Sequence, residues 1–143
     1  MGIVTDQLGA ARRRIRTGYG LVVVGNALDL LWPFAVGVAV NGLVDGSWVG
    51  VGVFVGLSLA HTLVGFVGQR HTSRTFNRLH ATIAADLVAR QRAAGVDTAS
   101  VSGRTELAGE YVGFLESDVP LAITAGFTII GSLGMHFVYD PVV

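Results

Sequence analysis

The chain has 143 residues, of which 51% are hydrophobic and 14% charged, with 20 glycines, three prolines and no cysteine. A soluble domain carries about 25% charged residues, so this chain has little more than half the usual solubilising charge, while its apolar content excludes a disordered chain. Ten arginines and no lysine balance ten acids, which argues against a nucleic-acid binder held by a broad basic surface. The lack of thiols excludes a disulfide scaffold and any cysteine-ligated zinc or iron–sulfur centre. With a mean hydropathy of +0.59, the composition is that of an integral membrane protein.

The charges are clustered, and the gaps between them define the elements. After Arg12, Arg13, Arg14 and Arg16, the one charged residue between Thr17 and Val44 is Asp29. From Trp48 to Gly68 the only titratable side chain is His61, and from Val119 to Tyr139, leaving Tyr139 itself aside, it is His136. About 20 apolar residues cross a hydrocarbon core of about 30 Å. In lipid each backbone amide must be bonded within its own segment, so such stretches are helices. Three spans are predicted, at about 18–44, 48–68 and 119–139. A cleaved signal peptide is the rival for the first, but the apolar run is too long, carries Asp29 and Pro33, and lacks a small-x-small cleavage site.

Between the second and third spans, residues 69–118 read as a helical extension rather than a loop. Gln69 to Ala94 contains no Gly or Pro, and Phe76, Leu79, Ile83 and Leu87 share one face while Arg70, Arg74 and Arg78 follow another. Gly95 is a natural helix stop. At 1.5 Å per residue this outward arm is about 36 Å long. A returning arm from Arg104 to Asp118 carries the stripe Leu107, Ala108, Tyr111, Val112 and Leu115. In the turn between the arms, Asp97 is expected to cap a one-turn helix over 98–102 that Gly103 ends. Two arms cannot bury both stripes alone, so packing against further helices is expected. Gly52, Gly56 and Ala60 on the second span, and Ala122 and Gly126 on the third, are small-residue runs of the kind that let membrane helices approach.

Positive charge is retained on the cytoplasmic side. The remaining arginines, Arg70, Arg74, Arg78, Arg90, Arg92 and Arg104, all lie between the second and third spans, whereas the link 45–47 and residues 140–143 have none. This predicts a multi-pass plasma-membrane protein with the N-terminus and the 69–118 extension cytoplasmic, and the 45–47 turn and C-terminus outside. Trp48 and Tyr139 then sit at the outer interface, where amphipathic rings are favoured.

Among side chains that could carry chemistry, Asp29 stands out, because a charge at mid-span costs at least about 2.5–3.5 kcal/mol on insertion scales. Asn26 precedes it by one turn and Pro33 follows by one turn, giving a kinked helix with a polar face. Asn26, Asp29 and His61 are the candidate polar residues of a translocation path, with Asp29 and His61 meeting if the first two spans pack. The plainer reading makes Asp29 a hydrogen-bonded carboxyl that joins helices. No metal site is expected: His71 and His80 are nine apart and no H-E-x-x-H is present. No G-x-S-x-G elbow exists for a hydrolase. Glu106, Glu110, Glu116 and Asp118 read as a solvated face, with Arg90, Arg92 and Arg104 available to pair across the arms.

This order of elements, with Arg104-Thr105-Glu106-Leu107-Ala108, Glu110-Tyr111-Val112, Phe114-Leu115-Glu116, Asp118-Val119-Pro120 and the closing Tyr139-Asp140-Pro141, resembles the N-terminal half of the six-span membrane region of ABC exporters, particularly members without a fused ATPase. The resemblance implies an all-α fold of three membrane helices with a long cytoplasmic helical hairpin, completed by the remaining helices of the unit or by a second copy. It also implies a coupling tip, here Asp97, Thr98, Ala99, Ser100, Val101 and Ser102, that docks on a cytoplasmic nucleotide-binding ATPase. No cofactor is expected in this chain, ATP belonging to that partner: there is no G-x-x-x-x-G-K-[ST], and with no lysine there is no phosphate-loop lysine. The expected function is the membrane domain of a transporter. The alternative is a small non-transporting membrane protein acting as an oligomeric or regulatory subunit. The absence of cysteine allows a direct test of topology: in intact cells a membrane-impermeant maleimide is expected to label Ser47→Cys, and to label Ala99→Cys only after permeabilisation.

Overall fold

The computed structural model describes residues 2–95 and 98–139, and the side chains of 7–95, 102–103 and 105–137. It is helical, with no strand among the described residues. The helices are α1 (Gly2–Leu30), α2 (Trp32–Val44), α3 (Val49–Ala93), α4 (Thr98–Gly113) and α5 (Val119–Tyr139), with a π-helical turn at Phe114–Asp118. Three helical stretches, Gln7–Val44, Val49–Ala93 and Thr105–Phe137, are long and apolar enough to cross a membrane. Their most apolar windows are at most 6% buried within the chain, so their apolar side chains face outward, as lipid or neighbouring helices require. The chain divides into two compact units, residues 1–19 with 69–121 and residues 20–68 with 122–143.

The first predicted span is not one rod. Pro33 has no N–H to give the Asp29 carbonyl, and its ring crowds that carbonyl. The chain answers with a turn at Leu31, whose N–H goes to Leu28 O at 3.1 Å, and α2 then restarts with Ala35 N–H on Leu31 O at 3.0 Å. At the other end of α2 the turn is closed by two bonds, Ser47 N–H to Gly42 O at 2.7 Å and Gly46 N–H to Leu43 O at 3.2 Å. Gly46 supplies the left-handed conformation (φ +73°) that this Schellman pattern needs. The Ser47 hydroxyl then accepts the Val49 N–H at 3.4 Å as α3 begins.

The two helices joined by this turn touch backbone to backbone. A Cβ at Gly50 would collide with the Val38 carbonyl and lie 3.0 Å from Ala39 Cα, and one at Gly42 would lie 2.9 Å from Ser47 O and 3.4 Å from Gly50 Cα. The small-residue runs expected to mediate packing do not do so within this chain, since Gly52, Gly56 and Gly126 face open space. Close approach is set by position at the crossing rather than by i, i+4 recurrence.

In the unit of residues 1–19 and 69–121, α3, α4 and the start of α1 share a core of Phe76, Leu79, Ile83, Ala108 and Val112, with Leu8, Ala11, Ile15, Leu87 and Leu115 packed on it. The α3 stripe is as predicted and continues one turn further to Gln91, which is 6% exposed. The further helix that the two stripes required is α1, antiparallel to α3: Gln7 Nε2 donates to Asp86 Oδ2 at 2.8 Å and His71 Nε2 donates to the Arg14 carbonyl at 3.0 Å. Leu107 (67% exposed) and Tyr111 (49%) lie off the buried face, which is narrower than the five-residue stripe expected.

Two further boundaries differ from the sequence reading. Gly95 stops α3 with φ +63°, as expected, but Gly103 does not end a one-turn helix. It lies inside α4, where an internal glycine costs about 1 kcal/mol against alanine and the buried Ala108 and Val112 hold the helix. The returning arm also contains an unforeseen π turn before Pro120. The Val119 N–H bonds Phe114 O, five residues back, which leaves the Leu115 carbonyl without its usual donor. The Tyr19 hydroxyl fills that role, donating to Leu115 O at 2.7 Å.

The glycine contacts give a paired expectation. Gly50→Ala forces the crossing apart and is expected to destabilise by about 1–3 kcal/mol. Gly52→Ala, in open space, is expected to be neutral or to stabilise by a few tenths of a kcal/mol through helix propensity. Thermal melts in detergent check both.

Candidate functional site

The polar side chains predicted in the spans fall in the unit of residues 20–68 and 122–143. Asp29 sits on the last turn of α1 and His61 in the first third of α3. The structure brings them together, with His61 Nε2 at 3.2 Å from Asp29 Oδ1. Such pairing lowers the cost of holding an ionisable group at membrane depth.

The pair does not stand alone. Asp29, Trp32, Pro33 and His61 line a cavity of about 430 Å³. The Trp32 ring lies edge-on to His61 at 6.4 Å between centroids and packs on Phe54 at 5.0 Å. Trp32 and Pro33, three and four residues after Asp29, follow the turn at Leu31 and complete this wall. The side chains of Asp29 (56% exposed) and His61 (39%) are open to their surroundings rather than sealed in a core. Trp32 and Phe54 were not singled out from the sequence. The signal was there, since Trp32 is one helical turn beyond Asp29 and Phe54 two turns before His61, so each shares a face with its polar partner.

Asn26 has a different situation. It is 8% exposed, and its amide donates to its own helix at Val22 O (2.8 Å) and to Thr124 Oγ1 on α5 (3.2 Å). It does not line the Asp29–His61 cavity. Its geometry is that of an interhelical tie.

Of the predicted tip, Asp97 lies outside the described residues. Thr98, Ala99, Ser100, Val101 and Ser102 form the first turns of α4, and the Ser102 side chain is exposed. The expected pairing of Arg90 and Arg92 with acids across the arms is not found among the described residues. The contact found across the arms is His80 Nε2 to Glu116 Oε2 at 3.9 Å, while Gln7 of α1 bonds Asp86. No group of three or more His, Asp or Glu that could hold a metal occurs among the described residues.

A family model described as ABC transporter transmembrane region matches residues 7–141. No curated protein and no solved structure matches the chain.

The pairing of Asp29 with His61 makes a thermodynamic cycle informative. Asp29→Asn and His61→Ala are each expected to lower the melting temperature in detergent. The double variant is expected to lose about 1 kcal/mol less than the two losses added, within the range of polar pairs in membrane helices.

Proposed function

Because the chain belongs to the ABC transporter transmembrane region family, we propose that its Asp29–His61 cavity forms part of the translocation path and that the turn between α3 and α4 relays motion from a separate cytoplasmic ATPase. The chain is part of the membrane domain of an ABC-type transporter. In this reading the N-terminus and the segment between α3 and α4 are cytoplasmic, the 45–47 turn is outside, and the remaining membrane helices come from the rest of the unit or a second copy.

The observation that carries the path is the Asp–His pair at 3.2 Å, open to its surroundings and walled by Trp32. A carboxyl kept only for helix packing would be expected in a sealed interface, as Asn26 is. Support for the relay is mechanical: α3 is one unbroken helix of 45 residues. Displacement at one end of so long a helix is transmitted along its hydrogen-bonded backbone. No phosphate-loop lysine exists in the chain, so nucleotide hydrolysis is assigned to the partner.

In the intact transporter in vesicles, Asp29→Asn and His61→Ala are each expected to cut ATP-driven transport at least fivefold, while Asn26→Gln, which keeps an amide, changes it less than twofold. A cysteine at Ala99 is expected to crosslink to the ATPase subunit. Unchanged transport in both cavity variants removes the path assignment, and absence of any Ala99 crosslink removes the relay.

A further inference from the structure

We propose that an open cleft between the N-terminal part of α1 and α3 binds the phosphate of an acidic phospholipid headgroup. The cleft, of about 390 Å³, is lined by Gln7, Arg13 and Arg14 from α1 and by Thr75, Arg78 and Thr82 from α3, among others. Three arginines thus line one cleft. No arginine whose side chain is described has a carboxylate partner among the described residues; the ion pairs found there are His61–Asp29 and His80–Glu116. The acid on this face of α3, Asp86, two turns beyond Arg78, is already engaged by the Gln7 amide at 2.8 Å.

A second observation points to a ligand. Thr75 lines the cleft, is 6% exposed, and makes no side-chain hydrogen bond among the described residues, although a helical threonine ordinarily bonds the carbonyl oxygen four residues back. Thr82, one wall further, does so, donating to Arg78 O at 2.9 Å. A hydroxyl without an intramolecular partner on the wall of an arginine-lined cleft suits a phosphate oxygen, which accepts from hydroxyl and guanidinium alike. Arginine's planar fork favours phosphate in bidentate geometry.

The Arg14 end of the cleft lies at the depth of lipid headgroups. Arg14 precedes Gly18, where the apolar stretch begins, by four residues, about 6 Å along a helix. The headgroup layer is about 5–8 Å thick on each side of the hydrocarbon. Arg78 is ten residues beyond Gly68, about 15 Å, but its side chain leans toward the N-terminus of α3 and so back toward the bilayer. Basic pockets between membrane helices at this level recognise acidic headgroups.

The test is native mass spectrometry of the full chain in detergent with phosphatidylglycerol and phosphatidylcholine of equal chain length. Phosphatidylglycerol is expected to be retained at least tenfold over phosphatidylcholine. Arg14→Gln/Arg78→Gln is expected to abolish that preference, Arg14→Lys/Arg78→Lys to keep it within threefold, and Arg90→Gln/Arg92→Gln to leave it unchanged. Retained preference in the glutamine variant, or an equal loss in the Arg90/Arg92 variant, overturns the site. Displacement of the lipid by millimolar inorganic phosphate assigns the cleft to a soluble anion and overturns the lipid reading. If circular dichroism shows the glutamine variant unfolded, Thr75→Val decides: a threefold or greater fall in preference supports the site, and no fall overturns it.

Discussion

A backbone carbonyl or amide in hydrocarbon must find its partner within the protein, and the architecture follows from how this chain meets that demand. Nearly every described residue is helical, so the demand is met locally. The exceptions fall at the two prolines within the described residues. Pro33 deprives the Asp29 carbonyl, and the chain bends at Leu31. Pro120 deprives the Glu116 carbonyl, and the preceding turn widens until Leu115 O is also released, to be taken up by the Tyr19 hydroxyl. Each break lies beside a polar feature, the Asp29–His61 cavity in one case and the His80–Glu116 contact in the other.

The two units are held by different physics. The unit of residues 1–19 and 69–121 has a buried side-chain core, with Phe76 and Val112 almost wholly enclosed. The unit of residues 20–68 and 122–143 has few buried side chains and relies on glycine-permitted backbone contact and on polar ties such as Asn26 to Thr124. This is the expected contrast between a region stabilised by removing apolar surface from water and one where lipid offers no such gain.

Much of this was legible in the sequence because its signals are one-dimensional. Span lengths follow from charge-free runs, and α5 occupies the residues 119–139 read from composition alone. The Phe76–Leu87 face follows from helical spacing, and the meeting of Asp29 with His61 from comparing depths along two spans. What was missed depends on three-dimensional neighbours. Leu8, Ala11 and Ile15 have helical spacing but were hidden among arginines that drew attention as topology markers. Gly42 and Gly50 matter because a short turn folds one onto the other, which no repeat pattern announces. Gly103 was read as a stop by its identity, whereas packing on either side carries the helix through it. The role of the three-residue link at 45–47 was legible; the π turn was not, because its cause, Pro120, also fits the ordinary first turn of a helix.

The tight turn at Gly46 has a consequence for biogenesis. Helices joined by so short a link and touching through their backbones enter the bilayer together, and the imidazole that meets Asp29 is carried by α3, the helix that follows this link. The costliest group in the first span therefore has its partner before the third span has been synthesised. Asn26, whose interhelical partner Thr124 arrives only with that last span, meanwhile keeps one amide hydrogen on Val22 of its own helix. Asn26 therefore has a hydrogen-bond partner on its own helix before the third span arrives.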